Sequence, residues 1–138
     1  MPKIENCSWA DFKVGNHRIS PINTVAIQIV DPGDVPPEPA ENCFVERYCF
    51  QFLDAETQTS QFFPESALFS DSQAQHIARI LRKSLDNDHD VLVHCVAGIC
   101  RSGAVVEVAE MIGFDECFRY RMPNVRVRGK LMDQFNLK

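Results

Sequence analysis

The sequence has no apolar run of membrane-spanning length, no internal repeat, no low-complexity tract and no excess of positive charge. A spanning helix needs about 20 mostly apolar residues, so no membrane segment is expected. Lys and Arg number 14 against 19 Asp and Glu, for a formal net charge of −5. A nucleic-acid or acidic-membrane binder would more often be basic, so neither partner is expected. The stretch Met1-Pro-Lys-Ile-Glu-Asn6 holds no apolar signal region, and a cytoplasmic protein is the expectation. Cys-x-x-Cys pairs are also missing. The six cysteines, Cys7, Cys43, Cys49, Cys95, Cys100 and Cys117, lack zinc-ligand spacing, and a cytosolic chain would keep them reduced. No metal and no cofactor is expected.

What the chain does have is enough apolar material for a core. Its 138 residues are 45% hydrophobic, which suits one domain over residues 1–138. The first 20 residues are mixed, with Trp9, Phe12 and Val14 isolated, and read as a short strand or turn packed on a sheet. Thr24–Val30 is β-branched and apolar and reads as a buried strand, stopped by the turn Asp31-Pro-Gly-Asp34. Pro36-Pro37-Glu38-Pro39 continues as an extended loop. Phe44–Leu53 alternates aromatic and polar residues as a strand does. Gln61-Phe62-Phe63 reads as a loop or short turn. Ser70 and Gln73 form a capping box before Ala74, Ile77, Ala78, Leu81 and Leu85 at helical spacing. Val91–Val93 is the next buried strand. Ala104, Val105, Val108, Ala109 and Ile112 mark a second helix ending at Gly113, with Met111 expected in the core. Asp115–Tyr120 reads as a short helix. This alternation predicts an α/β domain, a mostly parallel central sheet flanked by helices.

The two halves of the pattern meet at Val91-Leu-Val-His-Cys-Val-Ala-Gly-Ile-Cys-Arg-Ser-Gly103. A strand ends at His94-Cys95, a loop of small residues follows, and Arg101 opens a helix. Such a loop can turn its N–H groups inward and, with the helix dipole, bind an anion. Gly98 permits a bend that a Cβ would obstruct. Arg101 can fork onto two phosphoryl oxygens. Cys95 at the floor is favoured as thiolate and is poised for in-line attack on phosphorus. Ser102 can donate to the sulfur as it leaves, and His94 can tie down the cysteine backbone. Val96, Ala97, Gly98, Ile99 and Cys100 would line the phosphate with Arg101. Cys100 could also trap an oxidised Cys95 as a disulfide, though space-filling is the simpler role.

This stretch resembles the signature loop of the cysteine-dependent protein tyrosine phosphatases: His-Cys, five residues, Arg, then Ser or Thr, with Gly three residues after the Cys. The small size and Arg121-Met-Pro-Asn124 are similar to the compact tyrosine phosphatase-like proteins of bacteria and phages. The resemblance implies a strand, phosphate loop and helix at the active site, and a phosphocysteine intermediate. The partner it implies is a phosphorylated protein or peptide.

Expelling an alcohol or phenol calls for a proton donor. Asp54 follows a strand, where sites of α/β sheets gather. Small dual-specificity phosphatases, which this region resembles, place their acid at such a strand end. Asp71, Glu56 and Glu65 are the other carboxylates within reach in sequence. Arg119, Arg121, Arg126, Arg128 and Lys130 could form a positive rim for a phosphorylated substrate, or a solvated face. Other readings are a phosphatase of RNA 5′ ends or phosphoinositides, and a non-catalytic phosphopeptide-binding module. The neutral Val96, Ala97 and Ile99 argue against highly charged substrates. Rhodanese-like sulfur transfer fits the Arg-Ser ending less well.

Overall fold

The computed structural model of the protein describes residues 2–56, 64–116 and 119–137. In chain order the elements are β1 (Lys3–Ser8), α1 (Trp9–Val14), β2 (Thr24–Val30), β3 (Glu46–Gln51), a 3₁₀ turn (Glu65–Ala67), α2 (Asp71–Asp86), β4 (Asp90–Cys95), α3 (Arg101–Met111), β5 (Asp115–Glu116) and α4 (Val125–Gln134). The strands form one sheet in the order β3-β2-β4-β1-β5, parallel at every pairing. A parallel sheet covered on both faces wants near-continuous apolar strands. In β2 all seven residues are buried, and β4 lies at the centre.

Side chains alternate across β4, and this decides where each functional group points. Val91, Val93 and Cys95 belong to the large core with Ala74, Ile77 and Leu81 of α2, Val105 and Val108 of α3, and Val127 and Leu131 of α4. Leu92 belongs to a smaller cluster with Cys7, Ala26 and Phe12 of α1. The His94 ring packs on Phe12 in the same layer. The thiol of Cys95 and the imidazole of His94 are therefore sent to opposite faces.

The capping box at Ser70 forms as the sequence predicts. Gln73 N–H donates to Ser70 Oγ at 3.1 Å, and Ser70 N–H to Gln73 Oε1 at 3.0 Å. Helix α3 is buried almost all round, because it lies between the sheet and α4. Its last residue turns outward: Met111, expected in the core, is 43% exposed. The strand expected over Phe44–Leu53 is shorter, Glu46–Gln51: Phe52 N–H makes the last bond to β2, at Val30 O, and the next N–H, of Leu53, turns to the Ala67 carbonyl. In place of the short helix expected over Asp115–Tyr120, the described residues Asp115 and Glu116 form a strand. Asp115 and Glu116 pair instead with Lys3 and Ile4, closing the open edge of β1. Gln61, Phe62, Phe63 and Cys117 lie outside the described residues.

The opening residues hold more order than their composition suggests. β1 is inserted between β4 and β5, with Glu5 and Asn6 fully buried. Two buried polar residues break the apolar pattern that marks a strand. Helix α4 follows the N-cap Asn124. The basic residues of the C-terminal third form no free positive rim. Arg119 pairs with Glu5 and Asp11, Arg121 with Glu110, Arg126 with Glu65, Arg128 with Glu107 and Lys130 with Asp71.

Candidate active site

Cys95 ends β4 and is 2% exposed. Its sulfur lies 3.2 Å from Ser102 Oγ and accepts the Gly98 N–H at 3.2 Å. Ser102 is the second residue of α3 and fully buried. The loop thus closes on the sulfur from the middle and from the helix start.

The loop carbonyls are drawn outward. Trp9 N–H donates to Val96 O at 3.2 Å, and Met122 N–H to Ile99 O at 3.1 Å. Cys100 O accepts both Ala104 N–H and Asn124 N–H at 3.0 Å. Asn6 Nδ2 donates to Gly98 O at 2.7 Å and to Tyr120 O at 3.2 Å. Among the described residues, the N–H groups of Ala97, Ile99 and Cys100 donate to no backbone carbonyl. Carbonyls turned outward leave N–H groups for the hollow of the loop, the arrangement an anion requires. Gly98 makes it possible. Its φ is +75°, and an added Cβ would lie 2.3 Å from the Cys7 carbonyl carbon.

Arg101 is 4% exposed. Its Nη1 donates to Asp31 Oδ1 at 2.7 Å and to the Phe52 carbonyl at 2.7 Å. Nε is buried without a partner, and Nη2 has none among the described residues. A buried unsatisfied donor costs about 1–3 kcal/mol. The edge left open, Nε with Nη2, is a parallel fork that matches two oxygens of one phosphoryl group. Asp31 holds the other side of the guanidinium and was legible in sequence only as a turn residue.

Asp54 lies beyond β3 and is exposed. Its Oδ1 accepts Asn124 Nδ2 at 2.8 Å. The Cys100 thiol, partly buried, is held above its ordinary pKa by that burial first and then by the nearby Asp54 carboxylate. Asp54, Glu56, Cys100, Met122 and Asn124 line a crevice of about 480 Å³ at the end of the loop. Of the other carboxylates, Asp71 pairs with Lys130 and Glu65 with Arg126. Glu56 shares the crevice, but its nearest donor is Val125 N–H at 3.5 Å.

Scans of family models and of curated sequences give no match. The structure does match solved ones. The human tyrosine phosphatase-like serine/threonine/tyrosine-interacting protein superposes with TM-score 0.62 at 18% identity, over 99% of this chain and 93% of that one. An Orf virus tyrosine phosphatase with triple substrate specificity superposes with TM-score 0.53 at 14% identity, over 98% and 83%. The chain has the tyrosine phosphatase fold. Within that fold Val96 to Cys100 form the loop between the central strand, which ends at Cys95, and α3, which opens with Arg101 and Ser102.

His94 is no part of the pocket surface. It is fully buried, and its Nε2 accepts from Gln28 Nε2 at 3.2 Å while Gln28 also donates to Pro37 O. That puts the ring proton on Nδ1, toward the Cys95 backbone, without an ordinary hydrogen bond. Burial, aided by Arg101 and opposed by the Cys95 backbone, pushes its pKa down to about 4. His94 is a neutral packing and spacing group. Burial first, then Glu5, pushes the Cys7 thiol up to about 12, so this neighbour of the loop stays protonated. The supports that sequence reasoning missed are Asn6, Asp31 and Asn124. Only Asn124 carried a signal, as an N-cap type after Pro123. Among the described residues no cluster of His, Cys, Asp or Glu suits a metal ion, and no helix is long and apolar enough to cross a membrane.

Proposed function

We propose that this chain is a phosphomonoester hydrolase acting on phosphotyrosine in proteins or peptides, with phosphoserine and phosphothreonine as further substrates. One observation carries the reading: the Cys95 sulfur accepts the Gly98 N–H and meets the Ser102 hydroxyl, each at 3.2 Å, while Arg101, five residues on from the loop's start, keeps Nε buried and unpartnered. The Cys95 thiolate attacks phosphorus, the phosphorus–oxygen bond to the substrate breaks, and the leaving oxygen takes a proton from Asp54. Water then attacks the phosphocysteine and gives a proton to Asp54. Ser102 donates to the departing sulfur, and inorganic phosphate leaves. Arg101 and the loop N–H groups stabilise the charge spread over the equatorial oxygens. The paired basic residues and neutral loop side chains favour a singly phosphorylated group over a phosphoinositide or an RNA end.

A second reading, phosphopeptide binding without turnover, draws on the contacts that Asn124 and Cys100 make to Asp54. Hydrolysis of p-nitrophenyl phosphate across pH separates the two. The native protein should turn over and Cys95→Ser should not, though it should still bind phosphate, because the N–H cradle remains. Asp54→Asn should lose the basic limb of the profile and about 10²–10⁴-fold in rate on a poor leaving group. A native protein that is inactive with Cys95 reduced would leave the binding reading in the lead.

A further inference from the structure

We infer that Asn124 is the positioning residue that sets Asp54 against the phosphate loop, an inference that rests on the phosphatase reading. Asn124 is 4% exposed, at the junction of three elements. Its Oδ1 accepts Val127 N–H at 3.1 Å and caps α4. Its backbone N–H holds the Cys100 carbonyl at 3.0 Å, at the end of the loop. Its Nδ2 donates to Asp54 Oδ1 at 2.8 Å and, at 3.4 Å, to the Ala55 carbonyl. One residue, through its main-chain N–H and its side-chain amide, thus ties the loop that bears the nucleophile to the carboxylate that serves as acid.

The amide suits this place for a chemical reason. Its oxygen must face the helix N–H groups and its nitrogen must face the carboxylate, so neither Asp nor Ser supplies both contacts. The bond occupies Oδ1 of Asp54 and fixes the carboxyl plane, so that Oδ2 is the oxygen that carries the proton to the leaving group. A proton donor must lie within about 2.6–3.2 Å of the oxygen it protonates. Asp54 is exposed, and without such an anchor its side chain would sample rotamers that miss that range.

The test uses Asn124→Ser and Asn124→Asp, both of which keep an N-cap acceptor. Each is assayed on phenyl phosphate, a poor leaving group, and on p-nitrophenyl phosphate, a good one. Thermal unfolding reports the integrity of α4. The expected result for Asn124→Ser is a kcat loss of about ten-fold or more on phenyl phosphate, with a much smaller loss on p-nitrophenyl phosphate. The basic limb of the pH profile should weaken in parallel. In an Asp54→Asn background, Asn124→Ser should cost nothing further, because the group it positions is already gone. Equal losses on both substrates, or losses that multiply in the double variant, would show that Asn124 only caps the helix and would overturn the inference. If Asn124→Ser unfolds, the same comparison on Asn124→Asp decides. An inactive native protein would remove the phosphatase reading and this inference together, an outcome distinct from an active protein whose two losses multiply.

Discussion

The loop from Cys95 to Arg101 is held by β1, α1 and the approach to α4, whereas the Asp54 side chain is exposed and tied, among the described residues, chiefly by Asn124. The loop's carbonyls are bonded by β1, α1 and the approach to α4, and its glycine is pressed against the β1 backbone. Among the described residues, the nitrogen donor to the exposed Asp54 carboxylate is Asn124 Nδ2. The difference follows from the two tasks. Stabilising a transferring phosphoryl group needs dipoles already aimed before the charge arrives, since reorganising them during reaction costs the rate they would supply. Delivering a proton needs one group at the right distance, in a segment that must also admit substrate.

The contrast breaks most sharply at Gly98. Gly98→Ala should cost about 3 kcal/mol or more, because a left-handed φ and a 2.3 Å backbone clash act together. Denaturant unfolding with vanadate binding checks this, and near-native values for both would mean that the loop does not depend on this contact. His94 tests the floor under the loop. Its pKa is about 6.5 in the unfolded chain and about 4 in the folded one, so the folded state binds fewer protons between those values. Stability present above pH 6.5 should fall as pH drops toward 4, by about 3 kcal/mol. His94→Gln should flatten that slope in acid unfolding curves, and an unchanged slope would assign it to other groups.

Asn6→Ala should cost about 1–3 kcal/mol, since it leaves the Gly98 and Tyr120 carbonyls without their buried donor. Phosphate affinity should drop alongside, as measured by inhibition, if β1 really braces the cradle. The smallest effect belongs far from the loop. Glu65→Gln removes only a surface ion pair with Arg126 and should change stability by under about 1 kcal/mol. The rate on phenyl phosphate should be unaltered, and a substantial loss would reopen Glu65 as the acid.

The central strand, the capping box and the loop were legible because each is local. Apolar runs, Ser70 with Gln73, and the spacing of Cys95, Gly98 and Arg101 lie within a few residues of one another. β1 was read only as a short strand or turn because its buried Glu5 and Asn6 interrupt the apolar pattern. Glu5 is satisfied by the backbone N–H groups of Arg18 and Ile19 and by Arg119, and Asn6 by Gly98 and Tyr120. Those partners lie 13 to 114 residues away, beyond any local pattern. The basic run near the C-terminus looked like a rim for the same reason. Its acidic partners, from Glu5 to Glu110, come from other elements.

By itself the amino-acid sequence determined the strand–loop–helix unit and the chemistry at its two ends, because backbone preference, hydrophobic period and side-chain type act over short range. Only the tertiary structure decided what surrounds that unit. It brought Asp31 to one side of Arg101, Asn6 beneath Gly98, and Asn124 between the loop and Asp54. Those contacts follow from a parallel sheet whose order differs from the order of the chain, so residues remote in sequence meet at the ends of neighbouring strands.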